Sequence, residues 1–326
     1  MKSSKPHAGC LPTDVQRMVD TTDTAPDPNP GFHPRLSVVI PCYNNEATLG
    51  AQLSALAMQA TGYSWEVVIA DNGSRDNSTS LAVEFRDRIP HLRLVDASAR
   101  RGAAFARNEG ARAARGSVLL FCDADDEMAP GYLEAMGRAR ERHGFVACRY
   151  DFEKLNRSWL AAARGTRGQG QGQGLAGGYC HPTLPYAGAG GLGIAKAVHD
   201  AVNGFDMTLE AAAGQEDTDY CIRVQLAGTP LVFVEDAVMH VRFRETVRGV
   251  FAQAWAWAES GAHVHRRYVP DAPTQSFGRM TYDLGRHLVW KLSRVRARDD
   301  VAQWIWLAGW CGGLLAARRG EEHRRG

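Results

Sequence analysis

Several features that would mark common protein classes are missing from this chain of 326 residues. No C-x-x-C pair occurs among its seven cysteines (Cys10, Cys42, Cys122, Cys148, Cys180, Cys221, Cys311), which are odd in number and widely spread. Neither structural zinc nor a disulfide framework is therefore expected, and a reduced, cytoplasmic setting fits best. The amino terminus lacks the apolar core of a signal peptide. The longest apolar stretch, 304–317, is too short to cross a bilayer and reads as a packed or interfacial helix. A net charge of only +2, with no arginine–aromatic pattern on the strands, argues against nucleic acid as a partner. What remains, at 44% hydrophobic and 23% charged residues, is an ordinary globular composition.

Residues 1–34 are rich in Pro, Thr, Asp and Ser, and such a segment buries too little apolar surface to order itself. Beyond it, apolar runs alternate with helical patterns. Leu36-Ser37-Val38-Val39-Ile40 reads as a strand, and Leu49, Leu53, Leu56, Ala57 and Ala60 mark one helical face. Further strands are read at 65–70, 92–95 and 117–122, with helices between them. A period of 25 to 30 residues is the signature of βαβ units and a parallel sheet. A helix near 132–143 and a strand near 145–150 continue the rhythm, which then fails. The tract 168–174 alternates Gly and Gln and reads as a flexible insertion, either a mobile active-site loop or a plain surface loop. A strand at 231–234 and helices over 246–317 follow, with Val247, Val250, Phe251, Ala254 and Ala258 as one apolar stripe.

The organising stretch is Phe121-Cys122-Asp123-Ala124-Asp125-Asp126, placed directly after the apolar run 117–120. Three carboxylates at the end of a buried strand repel one another, and burial sharpens the repulsion. A hard divalent cation with oxygen ligands would relieve it. The carboxyl end of a parallel strand is where open α/β sheets bind ligands, so Asp-x-Asp suits a metal-bound diphosphate. A helix N-terminus or turn is the plainer alternative, and these acids alone do not decide. Asp71 follows the second strand, 65–70, at the same rim, and acids after two neighbouring strands of one parallel sheet are read as a site.

Five ordered motifs carry a resemblance: Ser37-Val-Val-Ile-Pro-Cys-Tyr-Asn44, Val67-Val-Ile-Ala-Asp-Asn-Gly-Ser74, Ala106-Arg-Asn-Glu-Gly110, the run 121–126, and Glu216-Asp-Thr-Asp219. In order and spacing the chain resembles glycosyltransferase family 2 over roughly 36–245. The resemblance implies a fold of α/β class, the GT-A fold: a Rossmann-like, mostly parallel central sheet flanked by helices, here with a C-terminal helical extension. The expected divisions are a leader (1–34), the GT-A domain (35–245) and a helical region (246–326).

The resemblance also implies roles. Pro41 and Tyr43 line the base pocket, and Asp71 hydrogen-bonds the base. Arg107 lies near the diphosphate, with Asn108 supporting its loop. Asp123 faces ribose or sugar and metal, Asp125 ligates Mg²⁺ or Mn²⁺ directly, and His240 completes the metal site. Asp217 is the catalytic base with Glu216 beside it. A single acid, Asp71, follows the second strand where the family often has two. The implied activity is inverting transfer of one sugar from a nucleotide-sugar, a UDP-sugar first among donors, to a glycan or lipid-linked acceptor. A non-catalytic nucleotide- or glycan-binding homologue is the alternative, and a sugar-1-phosphate nucleotidyltransferase a more distant one. For Glu216 and Asp217 the plainer reading is acids at a helix N-terminus; for His240 it is a packed histidine.

Two patterns mislead. Gly188-Ala-Gly-Gly-Leu-Gly193 matches G-x-G-x-x-G, but no clean strand precedes it, so it is expected as a loop beside the acceptor site. The acids from Asp123 begin like an EF-hand, but Met128 stands where that loop needs glycine. In the last third, Arg286, Lys291, Arg294, Arg296 and Arg298 mingle with Leu288, Val289, Trp290 and Leu292. A helical cap on the domain is the first expectation. Peripheral contact of these basic, aromatic helices with the inner face of the cell membrane is the second.

Overall fold

The computed structural model describes residues 32–89, 91–164, 169, 174–177, 180–212, 215–270 and 277–325. The expected leader lies outside the described residues as far as residue 31, and of the Gly/Gln tract only Gln169 and Gly174 lie within them.

The first half is a parallel layer. Strands β1 (Leu36–Cys42), β2 (Trp65–Asp71), β3 (Leu92–Asp96) and β4 (Val118–Phe121) alternate with helices α1 (Leu49–Ala57), α2 (Ser78–Glu84) and α3 (Ala103–Ala113). In β1, β2 and β4 nearly every residue is buried, which is why these strands read as continuous apolar runs. Register aligns their carboxyl ends: Cys42 pairs with Asp71, Asp71 with Asp96, and Val39 with Phe121. One rim therefore collects Tyr43, Asp71 and the acids that follow Phe121.

The second half departs from the simple alternation. Its elements are β5 (Glu127–Met128), α4 (Tyr132–Arg142), β6 (Phe145–Asp151), α5 (Ser158–Arg164), β7 (Leu192–Ala195), α6 (Lys196–Ala201), α7 (Glu216–Leu226) and β8 (Leu231–His240). Strand order is β3-β2-β1-β4-β7-β6-β8-β5. β6 does not lie beside β4, because β7 enters between them antiparallel to both. This corrects the loop expected at 188–193. The chain makes a 3₁₀ turn at Ala189–Gly191, and Leu192 and Gly193 then begin a central strand. β8 runs parallel to β6, with an irregularity after Cys148, and brings His240 opposite Asp151.

Helices α8 (Val247–Tyr268), α9 (Phe277–Leu292) and α10 (Arg298–Arg325) complete the chain. The expected stripe on α8 is corrected at two positions: Val250, Ala254 and Ala258 are buried, as is Val264, whereas Val247 and Phe251 are exposed. Close approach to α10 explains the difference. A Cβ at Gly309 of α10 would stand 2.5 Å from the Phe251 carbonyl oxygen, so the seam belongs to small residues. Apolar side chains of α10, Ile305 and Trp306, join Leu160, Phe243 and Val250 in one cluster that ties these helices to the end of β8. No helix among the described residues is long and apolar enough to cross a membrane.

Candidate active site

At the β1–β2 edge of the rim, Asp71 accepts the Ser74 backbone N–H at 3.1 Å. Asn72 fixes the neighbouring crossover, donating to the Ala97 and Arg100 carbonyls and accepting Gly102 N–H. The Tyr43 ring is half exposed, with the Arg101 guanidinium 4.0 Å from its centroid. Arg101 also donates to the Asn72 carbonyl. Pro41 lies in β1 directly before this corner. A flat aromatic–guanidinium surface beside a carboxylate suits a planar heterocycle with N–H donors.

The acids after β4 sit differently. Asp123 Oδ1 accepts Arg107 Nη2 at 2.7 Å, and Glu216 Oε1 accepts Nη1 of the same guanidinium at 2.9 Å. Arg107 is buried, and although burial opposes its charge, Asp123 and Glu216 outweigh that and hold its pKa above the usual value. Asp126, also buried, accepts the Arg242 backbone N–H at 2.9 Å. Burial first, then repulsion from Asp123, pushes up the carboxyls of both Asp125 and Asp126. Beneath them Gln52 accepts Met128 N–H and donates to the Asp123 carbonyl, fixing the loop from α1.

Asp217 stands in the first turn of α7, where Gln215 caps the helix with φ +81°. It accepts Thr218 N–H at 2.7 Å and the Ala189 backbone N–H. Burial, and then the neighbouring Glu216 charge, raise its pKa to about 7, against the pull of Arg107. A carboxylate poised near neutrality is suited to accept a proton. Gly190 leaves room beside the acids that follow β4: a Cβ there would lie 2.8 Å from Asp123 Oδ2 and 3.3 Å from Asp126 Oδ2.

The remaining expected residues fall nearby with partners of their own. Asn108 accepts Phe205 N–H and donates to the Phe205 carbonyl, both at 2.9 Å, and so secures the loop 202–207 rather than the turn at its own helix. His240 Nδ1 is hydrogen-bonded to Asp151, an arrangement that fixes a ring's tautomer and leaves its other nitrogen for a ligand. No group of three or more His, Cys, Asp or Glu among the described residues is placed to hold a metal by itself.

Sequence reasoning missed Arg101, Gln52 and Asp151 as parts of this region, and beyond expecting a loop over 188–193 it gave Gly190 no role of its own. It also missed a network around the buried Asp219 of α7. Asp219 accepts Arg223 Nε, Arg267 Nη1 and the Tyr268 hydroxyl at 2.6–2.7 Å. Arg267 and Tyr268 end α8, so the last turn of that helix is bolted to the first turn of α7. Gly190 lies inside the G-x-G-x-x-G pattern at 188–193, and Asp219 ends one of the five motifs. Nothing in the sequence pairs Arg267 with either.

The model of the family described as Glycosyl transferase family 2 matches residues 37–189, and that of Glycosyl transferase family group 2 matches residues 118–318, well over half of the chain. The chain belongs to glycosyltransferase family 2. Within this family it is similar to the uncharacterised glycosyltransferase YibD of Escherichia coli K12, 38% identical over 102 residues, covering 31% of this chain and 29% of YibD. It is also similar to the Escherichia coli UDP-Glc:alpha-D-GlcNAc-diphosphoundecaprenol beta-1,3-glucosyltransferase WfgD, 34% identical over 99 residues, 30% of this chain and 38% of WfgD. The aligned region thus spans about a third of these curated relatives. The fold of this chain is similar to that of the mannosyltransferase PcManGT from Pyrobaculum calidifontis, solved in complex with GDP-Man and Mn²⁺: TM-score 0.52, 19% identity, 96% of this chain and 82% of that one.

Proposed function

We propose that this glycosyltransferase moves a single sugar from a nucleotide-sugar, a UDP-sugar, to a hydroxyl of a glycan or lipid-linked acceptor, with inversion at the anomeric carbon. The observation that carries the reading is the Arg107 bridge: one buried guanidinium joins Asp123, after the central strand, to Glu216, next to Asp217. Acids from distant parts of the chain, the one read as donor-side and the other as acceptor-side, are thereby held on one guanidinium.

In this reading Pro41 and Tyr43 line the base site, Arg101 stacks with Tyr43, and Asp71 reads the base. Asp217 takes the proton of the attacking hydroxyl, whose oxygen displaces the nucleoside diphosphate in line from the opposite face of the sugar. Arg107 holds Glu216 and Asp123 in place and supplies positive charge next to the leaving group. Asp125 and Asp123, with His240 at the edge, are the residues that would hold Mg²⁺ or Mn²⁺. The raised carboxyls of Asp125 and Asp126 fit a cation that relieves their repulsion. When bound, such an ion neutralises the departing diphosphate as a Lewis acid.

The donor class is supported by WfgD, whose name gives UDP-Glc as its donor and a diphosphoundecaprenol-linked sugar as its acceptor. The same reading places the protein in the cytoplasm at the inner face of the cell membrane, with residues 35–245 as the transferase unit and 246–326 as its helical extension.

The test is calorimetric binding of UDP, GDP, dTDP and CDP, each with and without Mn²⁺, to wild type and Asp125→Asn. The reading expects tight, Mn²⁺-dependent binding of UDP that the variant loses. No nucleotide binding under any condition would leave a non-catalytic homologue as the better description.

A further inference from the structure

Helix α9 carries two apolar faces, and the fold uses one. Leu284 and Leu288 are half-buried on the side of α10, whose Trp304 Nε1 donates to the Leu288 carbonyl at 3.0 Å. On the opposite side Tyr282, Val289 and Trp290 are 68%, 69% and 46% exposed, and Leu292, at the end of the helix, is 52% exposed. Helical spacing explains the division: Tyr282 and Val289 are seven residues apart and share one outward stripe, while Leu292, four residues after Leu288, is bared at its edge in the last turn. Trp290 lies at its margin, stacked on His287 and with the Arg294 guanidinium 3.8 Å from its ring centroid. An exposed Tyr and Trp, each with a polar tip, together with bare Val and Leu, is a costly surface in water.

Charge identifies what covers it. Between 277 and 298 the chain has six Lys or Arg (279, 286, 291, 294, 296, 298) against one acid, Asp283. Arg286, Arg294, Arg296 and Arg298 are exposed around the stripe. A second copy of this chain would bring the same positive charges against each other across an antiparallel helix pair, where they repel. A surface that is apolar in depth and negative at its boundary matches both features, and no membrane-crossing length is needed.

We propose that the outer face of α9 docks on an anionic lipid bilayer, with Tyr282, Val289, Trp290 and Leu292 inserted at the headgroup boundary and the surrounding arginines on lipid phosphates. The helix lies in the membrane plane. Through α10 it is fixed to the cluster of Phe243 and Val250 at the end of β8, so docking orients the rim that carries His240 and Asp126 relative to the bilayer. The inference extends the lipid-linked acceptor of the reading above. Its test reads binding without turnover, so either idea can fail alone.

The full chain is sedimented with vesicles of phosphatidylcholine and of phosphatidylcholine containing phosphatidylglycerol, at low and high salt. Binding to the anionic vesicles only, weakened by salt, is expected. Arg286→Gln with Arg296→Gln weakens it about 25-fold, about fivefold for each charge removed. Val289→Ser with Trp290→Ser weakens it about tenfold or more while the melting temperature is unchanged. Leu292→Ser tests the same stripe should that pair fold poorly. Absence of binding at low salt, or equal binding by wild type and these variants, overturns the proposal. A concentration-dependent dimer in sedimentation velocity that the Val289/Trp290 change abolishes would also overturn it and assign the face to a second copy.

Discussion

The nucleotide edge and the transfer edge of this site are held by different means. At the nucleotide edge, Asp71 is held from Ser74, Tyr43 N–H bonds Asn45, and Asn72 reaches Ala97 and Gly102, at most 30 residues away. At the transfer edge, Arg107 reaches Glu216 across 109 residues, Arg242 reaches Asp126 across 116, and His240 reaches Asp151 across 89. The first edge needs only β1–β3 and their crossovers. The second exists only when α7, β8 and the last turn of α8 have docked. Damage to the last third of the chain should therefore weaken transfer while sparing nucleotide binding.

The largest expected effect is at Asp217. Asp217→Asn should lower turnover by about 10²–10⁴ and leave UDP affinity in calorimetry unchanged; an equal loss of both would merge the two edges. Its titration adds a second readout. Burial and Glu216 hold this acid at about 7, so the folded protein binds the proton more tightly than the unfolded chain. That contribution to stability is complete below the ordinary carboxylate range and is lost as pH rises through about 7. The Asn variant should therefore melt above wild type at pH 8, with the gain shrinking towards pH 4. In wild type, turnover should rise with pH up to about 7.

Next is Arg107→Met, which leaves Asp123 and Glu216 without their shared partner at the junction of the edges. Breaking one side of a buried ion pair costs about 3–5 kcal/mol, read as a lowered urea midpoint. Arg107→Lys should recover little, since one ammonium does not reproduce the forked contact. A smaller effect is expected at Asp219→Asn. The Arg223, Arg267 and Tyr268 donors would lose a charged acceptor, at roughly 1–3 kcal/mol. Turnover should fall with nucleotide affinity intact, the reverse of what a nucleotide-edge residue would show. Smallest is Arg101→Ala, which removes the stack on Tyr43 and should weaken UDP binding severalfold, on the order of 1 kcal/mol, with no change in melting temperature.

Much of the nucleotide edge was legible because buried parallel strands announce themselves as apolar runs and their carboxyl ends follow at once. Asp71, Tyr43 and Asp123 were placed by that logic. β7 was not legible: Leu192–Ala195 is only four residues long and begins inside a glycine-rich stretch, so its composition reads as loop. Only burial between β4 and β6 makes it a strand. The Gly/Gln tract read as flexible, yet Gln169 is buried, accepting Gly188 N–H and donating to the Cys148 carbonyl. The apolar stripe expected on α8 was likewise misplaced at Val247 and Phe251, which are exposed, since α10's glycines set which residues can meet.

By itself the sequence determined the alternating strands, their common rim, the order of the acids along it and the family to which the chain belongs. These follow from local pattern, because strand period and strand-end position are properties of neighbours in the chain. The tertiary structure alone decided that Arg107 bridges Asp123 to Glu216, that Asp151 holds His240, that Asp219 anchors α7 to the end of α8, and which face of α9 stays outside. Each of these depends on how β8, α7 and the three terminal helices dock on the rest of the chain. Packing, not residue type, sets which of many equally charged partners comes within hydrogen-bond reach.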